Sequence, residues 1–337
     1  MSTIKDVAKK AGVSISTVSL VINGKGYVAP ETREKIMSTI QELNYKPLHS
    51  ARKLATKMTG NIGYIVWDVH FSEVEIFYSQ IFLGMEYAAR DSEHYILLTT
   101  VKEDFNPKTD LPRFLKYRDV DGVVLAGRVP HNLIKYLEDQ NMPFVIVDYG
   151  IPGKVYNSIV IDNFNGAFQA IDQLIKSGKK KIGFVGGSFY HPSIKERYRG
   201  YKEALEAHGI GNIEYFNNYS FIKEEETSPE IGQNGINQLL KNNENLDAVF
   251  CCNDTTAIGV MNELKAQNKS IPKDIAVVGF DDITSSSFCS PALSTVRVPK
   301  LDIGKQAYKL ITEIIYHPKE TPQTRTISVE YIKRKSS

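Results

Sequence analysis

From residue 61 onward the chain alternates short, continuously apolar runs with longer amphipathic stretches, and few architectures accept that pattern. Strand-like runs lie at 62–68 (IGYIVWD), 95–101, 121–127, 143–150 and 157–162, then at 181–187 (KIGFVGG), 212–219 (NIEYFNNY), 248–254 and 275–282. Helical patterns fill about 74–91, 109–118, 131–140, 163–177, 193–208, 229–242, 254–268 and 301–316. A strand that is apolar on both faces must be covered on both, which predicts parallel sheets flanked by helices. NIGYIVWD and KIGFVGGS resemble each other and each opens a series, so two similar α/β lobes are expected. The stretches 294–299 (STVRVP) and 326–334 (TISVEYIKR) are expected to cross back between them. A hinge of several strands would let the lobes close on a ligand.

The first sixty residues follow a different rule. In TIKDVAKKAGVSISTVSLVIN (3–23), Thr3 and Asp6 have the spacing of a capping box, and Val7, Ala8 and Ala11 share one helical face. Gly12 breaks that helix, Ser14 can cap the next, and Val18, Val21 and Ile22 form its buried stripe. Ile15, Ser16, Thr17, Ser19 and Leu20 are left pointing away from the small core. Two short helices, a glycine turn and an outward face of small residues make a helix-turn-helix suited to the DNA major groove. A third helix is predicted over 30–43, with Pro30 at its first position and Ile36, Ile40 and Leu43 on one face.

The ordered pattern VSISTVSLVIN, ETREKI, ELNYKP and SARKLAT (50–56) resembles the lactose-repressor (LacI/GalR) family of transcription regulators, more loosely to the C-terminus. The resemblance implies a helix-turn-helix domain at 1–46, a hinge helix and linker at 47–60, and a ligand-binding and dimerisation body at 61–337. The body would have the α/β, two-lobed, type I periplasmic-binding-protein-like fold, lobe 1 at about 61–162 and 293–325, lobe 2 at about 163–292 and 326–337. Its implied partners are operator DNA, a second copy of the chain and a small effector, a sugar or sugar derivative, with no membrane and no cofactor.

Residue by residue, Thr3, Thr17, Ser19, Asn23, Tyr27, Thr32 and Tyr45 match the family's phosphate-contacting positions, and Ile15, Ser16 and Leu20 its base-reading ones. A polar residue commonly stands where this chain has Leu20; aliphatic Ile15 and Leu20 cannot donate to guanine but can touch a thymine methyl, which predicts A·T-rich half-sites. Ala51, Arg52 and Leu54 match the hinge, with Leu54 at the position of the minor-groove wedge. In the body, Arg197 (ERYRGYKEAL) and Asp281 (GFDD) match the family's ligand-binding pair, with Asp148 and Asn253 as further candidates and Phe77 and Tyr219 as aromatic walls. The register after Tyr219 leaves Tyr219 and Phe221 as alternatives. Asp162 and Asp254 are read as helix caps at strand-to-helix turns, and His191 and His208 as surface residues.

Composition agrees with this division. Residues 1–60 hold ten Lys/Arg against four Asp/Glu, a net of +6, so the other 277 residues carry −4 of the overall +2. A basic head on a mildly acidic body is the footprint of a phosphate-backbone binder. Three cysteines make no disulfide framework and no zinc spacing. No G-x-G-x-x-G, phosphate loop, G-x-S-x-G or paired-histidine motif occurs, which argues against an enzyme. MSTIKD has no apolar leader, predicting a cytoplasmic protein, and no leucine heptads follow the last strand, predicting a dimer. The expected action is ligand-controlled repression from a palindromic operator, by release with an inducer or, alternatively, by a nucleobase or partner-protein corepressor.

Overall fold

A computed structural model describes residues 2–22, 26–45, 58–71, 76–92, 94–151, 153–243, 245–318 and 321–337. Asn23 and the hinge candidates Ala51, Arg52 and Leu54 lie outside the described residues. The chain divides into two compact units, Met1–Gly60 and Asn61–Ser337.

In the first unit, helix α1 (Ile4–Ala11) opens with a reciprocal capping box between Thr3 and Asp6. It ends at Gly12, whose φ of 69° is the left-handed conformation that glycine adopts without strain. Helix α2 (Ile15–Ile22) starts under Ser14, whose Oγ accepts from the Thr17 amide at 3.0 Å. Helix α3 spans Pro30–Glu42, with proline at the start where its missing N–H is harmless. Val7, Ala8, Ala11, Val18, Val21, Ile36 and Tyr45 form the core. Burying a Val or Ile side chain is worth about 1.5–3 kcal/mol, so a head this small depends on nearly every one of them.

The second unit contains a six-stranded, all-parallel sheet in the order β11-β5-β4-β3-β1-β2. Its strands are β1 (Asn61–Trp67), β2 (Tyr95–Val101), β3 (Gly122–Ala126), β4 (Phe144–Val147), β5 (Ser158–Ile161) and β11 (Thr324–Ile327). Along β1, Ile62, Tyr64 and Val66 face one core while Ile65 faces another. Helix α4 (Phe77–Ala89) and the long α13 (Lys300–Tyr316) belong to the first core; α5 (Arg113–Lys116) and α6 (His131–Asp139) belong to the second. The α4–α13 crossing is close enough that a Cβ on Gly304 would lie 2.0 Å from the Ile81 carbonyl, so only glycine fits.

The other lobe carries a four-stranded parallel sheet, β7-β6-β8-β9, formed by β6 (Ile182–Gly186), β7 (Ser220–Ile222), β8 (Ala248–Cys251) and β9 (Ala276–Val278). Its helices are α7 (Asn163–Lys176), α8 (Pro192–Ala207), α9 (Ile213–Tyr219), α10 (Pro229–Asn242), α11 (Asp254–Ala266) and the short α12 (Thr284–Phe288). Strand β10 (Thr295–Arg297) pairs antiparallel with β12 (Glu330–Ile332), and bridges Val278 to Ser294 and Asp281 to Arg297 continue this lobe's edge. Residues 294–297, grouped with lobe 1 on sequence, therefore run beside β9. The chain passes between lobes at Asp162, around Val298–Lys300 and between β11 and β12.

One expected strand is a helix. NIEYFNNY forms α9: the Asn212 side chain caps it by accepting from the Tyr215 amide, and Tyr215 and Tyr219, four residues apart, stack at 4.3 Å. The strand that follows begins only at Ser220.

Candidate functional site

The ends of β4, β8 and β9, with the start of α8, surround a cavity of about 320 Å³ between the two lobes of the body. Ligands of open α/β folds bind at such strand ends. At its floor Arg197 of α8 is only 4% exposed and every arm of its guanidinium is engaged. Nε donates to Asn163 Oδ1 at 2.8 Å, Nη1 donates to the Cys252 carbonyl at 2.6 Å, and Nη2 lies 3.0 Å from Asp281 Oδ1. The guanidinium also sits 3.8 Å over the Phe280 ring. A planar fork held on three sides is fixed in place at the cavity, which a flexible ammonium would not be.

Asp281 is aimed by its backbone. It has φ 102°, its amide donates to the Val296 carbonyl at 2.8 Å, and its own carbonyl accepts from Lys300 Nζ. The same ammonium donates to the carbonyls of Asp282 and Val298, and burial lowers its pKa. Neighbouring Asp282 does different work: its carboxylate pairs with Arg297 at 2.7 Å and Arg334 at 2.6 Å, tying the crossing segments together.

Asp148, with φ 56°, accepts from Tyr78 Oη at 3.1 Å and from Ser193 Oγ of the other lobe at 2.6 Å. Burial raises its pKa, an effect partly offset by the Arg197 charge. Phe77 is a buried wall of the cavity. Asn253 also lines it, while capping α11 through the Thr256 amide and donating to Thr227 Oγ1 at 2.8 Å. Phe77, Asp148, Arg197, Asn253 and Asp281 thus share one cavity.

Tyr219 does not line that cavity. Placed at the end of α9, it packs on Tyr215 and against the far core of its lobe. Phe221, on β7, is packed against the same core, and Glu226, Thr227 and Ser228 line the cavity in this part of the chain. Asp254 is fully buried, accepting from Thr295 Oγ1 and the Ile283 amide, and burial pushes its carboxyl up to about 7. The cap expected of it falls to Asn253, whereas Asp162 does cap α7.

Two further residues come from the structure. His70, in a short 3-10 turn after β1, and His191, before α8, both line the cavity. His70 Nε2 and His191 Nδ1 are buried without a hydrogen-bond partner among the described residues. Burial holds both imidazoles near a pKa of about 4, and for His191 the Arg197 charge adds to the effect, so both are neutral at pH 7. His191 is therefore no surface residue; His208 is one, pairing with Asp172 at 3.0 Å. A buried imidazole nitrogen can bond a hydroxyl or an amide that reaches it. Among the described residues no three His, Cys, Asp or Glu side chains are grouped to hold a metal ion, and no helix is long and apolar enough to cross a membrane.

On the head, Ile15 and Leu20 are 44% and 39% exposed and Ser16 is exposed, so α2 presents them outward. Leu20 also rests against Gly26, whose added Cβ would lie 3.3 Å from a Leu20 methyl. Of the backbone candidates, Tyr27 is almost fully exposed, Thr3 serves as a cap, Thr17 is bonded to Ser14, and Ser19 and Thr32 are half-buried. Tyr45, by contrast, is 7% exposed and belongs to the head's core.

Comparison with known proteins matches these two units to two family models. Residues 3–47 match the bacterial regulatory proteins of the lacI family, and 171–337 match the periplasmic binding protein-like domain. The chain is 36% identical over 343 residues to the HTH-type transcriptional repressor PurR of Haemophilus influenzae (strain PittEE), covering 100% of this chain and 98% of that one. It is 32% identical to the ribose operon repressor of Haemophilus influenzae (strain ATCC 51907 / DSM 11121 / KW20 / Rd), with the same coverage. Among solved structures, a transcriptional regulator CelR–cellobiose complex matches at 28% identity and TM-score 0.74 over 100% of both chains. The lac repressor dimer bound to operator and the anti-inducer ONPF matches at 25% identity and TM-score 0.79, over 99% of this chain and 98% of that one. The full-length relatives are repressors, the head is a helix-turn-helix, and the body has a preformed cleft. The chain belongs to the lacI family of bacterial regulatory proteins and is a DNA-binding transcriptional regulator of the repressor class with a ligand-binding body.

Proposed function

We propose that the effector is a sugar or sugar derivative, bound by Arg197, Asp281, Asp148 and Asn253 with Phe77 as an apolar wall, and that it releases a homodimer from a palindromic operator in the cytoplasm. The observation that carries this reading is the Arg197–Asp281 pair, 3.0 Å apart, in one cavity with two buried histidine nitrogens that have no partner among the described residues. A guanidinium, carboxylates and neutral imidazoles supply donors and acceptors at fixed spacing, as adjacent hydroxyls require, with no net charge demanded of the ligand. A ribose operon repressor and a cellobiose complex among the similar proteins point the same way. The boundaries 1–46, 47–60 and 61–337 then divide reading, hinging and sensing, and the effector acts through its different affinity for two states of the body.

A thermal-shift screen with D-ribose, D-glucose, cellobiose and guanine tests the ligand class, since a ligand of the folded state raises the melting temperature by mass action. A shift with a sugar is expected; a shift with guanine alone overturns the sugar reading in favour of a nucleobase corepressor. Leu54→Ala in the hinge is expected to weaken operator binding at fixed salt while leaving sugar affinity unchanged; equal operator affinity removes the wedge.

A further inference from the structure

A second cavity, about 340 Å³, is lined by Trp67, Glu103, Arg128, Tyr149 and Tyr190, all at or just beyond strand ends. Its walls touch those of the effector cleft, with which it shares no lining residue. The Trp67 ring meets the His70 ring edge-on at 5.2 Å and the Tyr149 ring lies 6.2 Å from that of His191, and both histidines line the inner cavity. Glu226, another wall of the inner cavity, lies 4.0 Å from Arg128.

The chemistry of the inner site is repeated in the outer one. Inside, the Arg197 guanidinium lies over Phe280 and beside Asp281 at 3.0 Å. Outside, the Arg128 guanidinium lies 5.2 Å over Trp67 and 2.6 Å from Glu103. Each is a fork of donors next to a carboxylate acceptor, and the outer one is flanked by two tyrosines with apolar faces and polar tips. Tyr190 is 75% exposed, an aromatic ring left in solvent at the rim. Each cavity alone is near the lower end of the ~300–1,000 Å³ typical of small-molecule sites.

We infer that the outer cavity is a second glycosyl subsite, and that the effector is a disaccharide or glycoside whose second ring packs against Tyr190 and Tyr149 and bonds Arg128 and Glu103. This rests on the sugar reading above and specifies its class. The outer pair is far more open to water than Arg197–Asp281, so its bonds are screened and the second ring contributes less to affinity than the first.

Titration calorimetry of the full chain tests this with D-glucose, D-galactose, cellobiose, maltose and lactose as probes. At least one disaccharide is expected to bind about tenfold or more tightly than the monosaccharides it contains. Tyr190→Ala, a change at an exposed position, is expected to weaken that disaccharide about three- to tenfold and leave monosaccharide affinity unaltered. Glu103→Gln is expected to act in the same selective way, more weakly. Equal affinity for the monosaccharide and the disaccharide, or an equal loss of both in Tyr190→Ala, overturns the second subsite while the sugar-binding inner cleft stands. If no sugar binds at millimolar concentration, the inner-site reading falls and the subsite falls with it.

Discussion

On the head, Ile15, Ser16 and Leu20 face outward from α2 while Val7, Val18 and Ile36 hold the fold. In the cleft, Arg197, Asp148 and Asp281 are buried, and the bonds that aim them also join Asn163, Cys252, Ser193 and Val296. Outward presentation and packing are divided among different residues in the first region, whereas lining the cavity and packing are combined in the same residues in the second. The difference teaches that the outward head residues can change with little effect on stability, whereas replacing Arg197 or Asp281 loosens one lobe and replacing Asp148 breaks its bond to Ser193 of the other.

The sharpest way to break that comparison is Arg197→Ala. It removes the cation 3.0 Å from a buried carboxylate, and orphaning such a charge costs about 3–5 kcal/mol. Denaturant unfolding should show that loss, and operator release by the effector should disappear while operator binding persists. A stability within about 0.5 kcal/mol of the parent, the size expected of a surface change, would mean that packing and lining are separate here too.

Next in size is the acid limb of the stability curve. His70 and His191 fall to about 4 in the folded body against an ordinary value of 6.5, so between those values the unfolded chain holds more protons. Their contribution is complete above pH 6.5 and is lost as the pH falls toward 4. Asp254, held up to about 7, has the opposite slope: the folded state holds its proton, and stability falls as the pH rises from about 4 to 7. Replacing both histidines with asparagine is expected to flatten the acid limb, and Asp254→Asn to remove the decline toward neutrality, both read from melting temperatures across pH 4–8. Unchanged pH profiles would show that these groups are not buried as described.

The smallest stability effect belongs to Leu20→Ala, expected within about 0.5 kcal/mol because the side chain is largely outward. Its effect on operator preference, measured by selection from random DNA, should be larger than its effect on melting. A large loss of stability would instead identify the contact with Gly26 as the main role of Leu20.

The head was legible because its signals are local: a capping box, a glycine turn and a serine cap each act within four residues. The parallel strands were legible because burial on both faces leaves continuous apolar runs. Arg197 and Asp281 were reached through family resemblance, since nothing in local spacing says that α8 and the end of β9 meet. His70 and His191 carried no periodicity at all; their burial arises where elements distant in sequence converge. Tyr219, offered by the same resemblance with Phe221 as its alternative, lies off the cavity at the end of α9; NIEYFNNY suits either a strand or a helix by apolar content, and the deciding signal was the Asn212 cap.

Lys300 stands at the first turn of a helix packed on one lobe, yet its ammonium grips the carbonyls of Asp281 and Asp282 at the edge of the other. That grip places Asp281, a wall of the cavity, at the crossing between the lobes. At the rim, Arg128 of one lobe and Glu226 of the other face each other 4.0 Å apart. Through Lys300, the backbone at the Asp281 wall and the first turn of α13 are held as one piece.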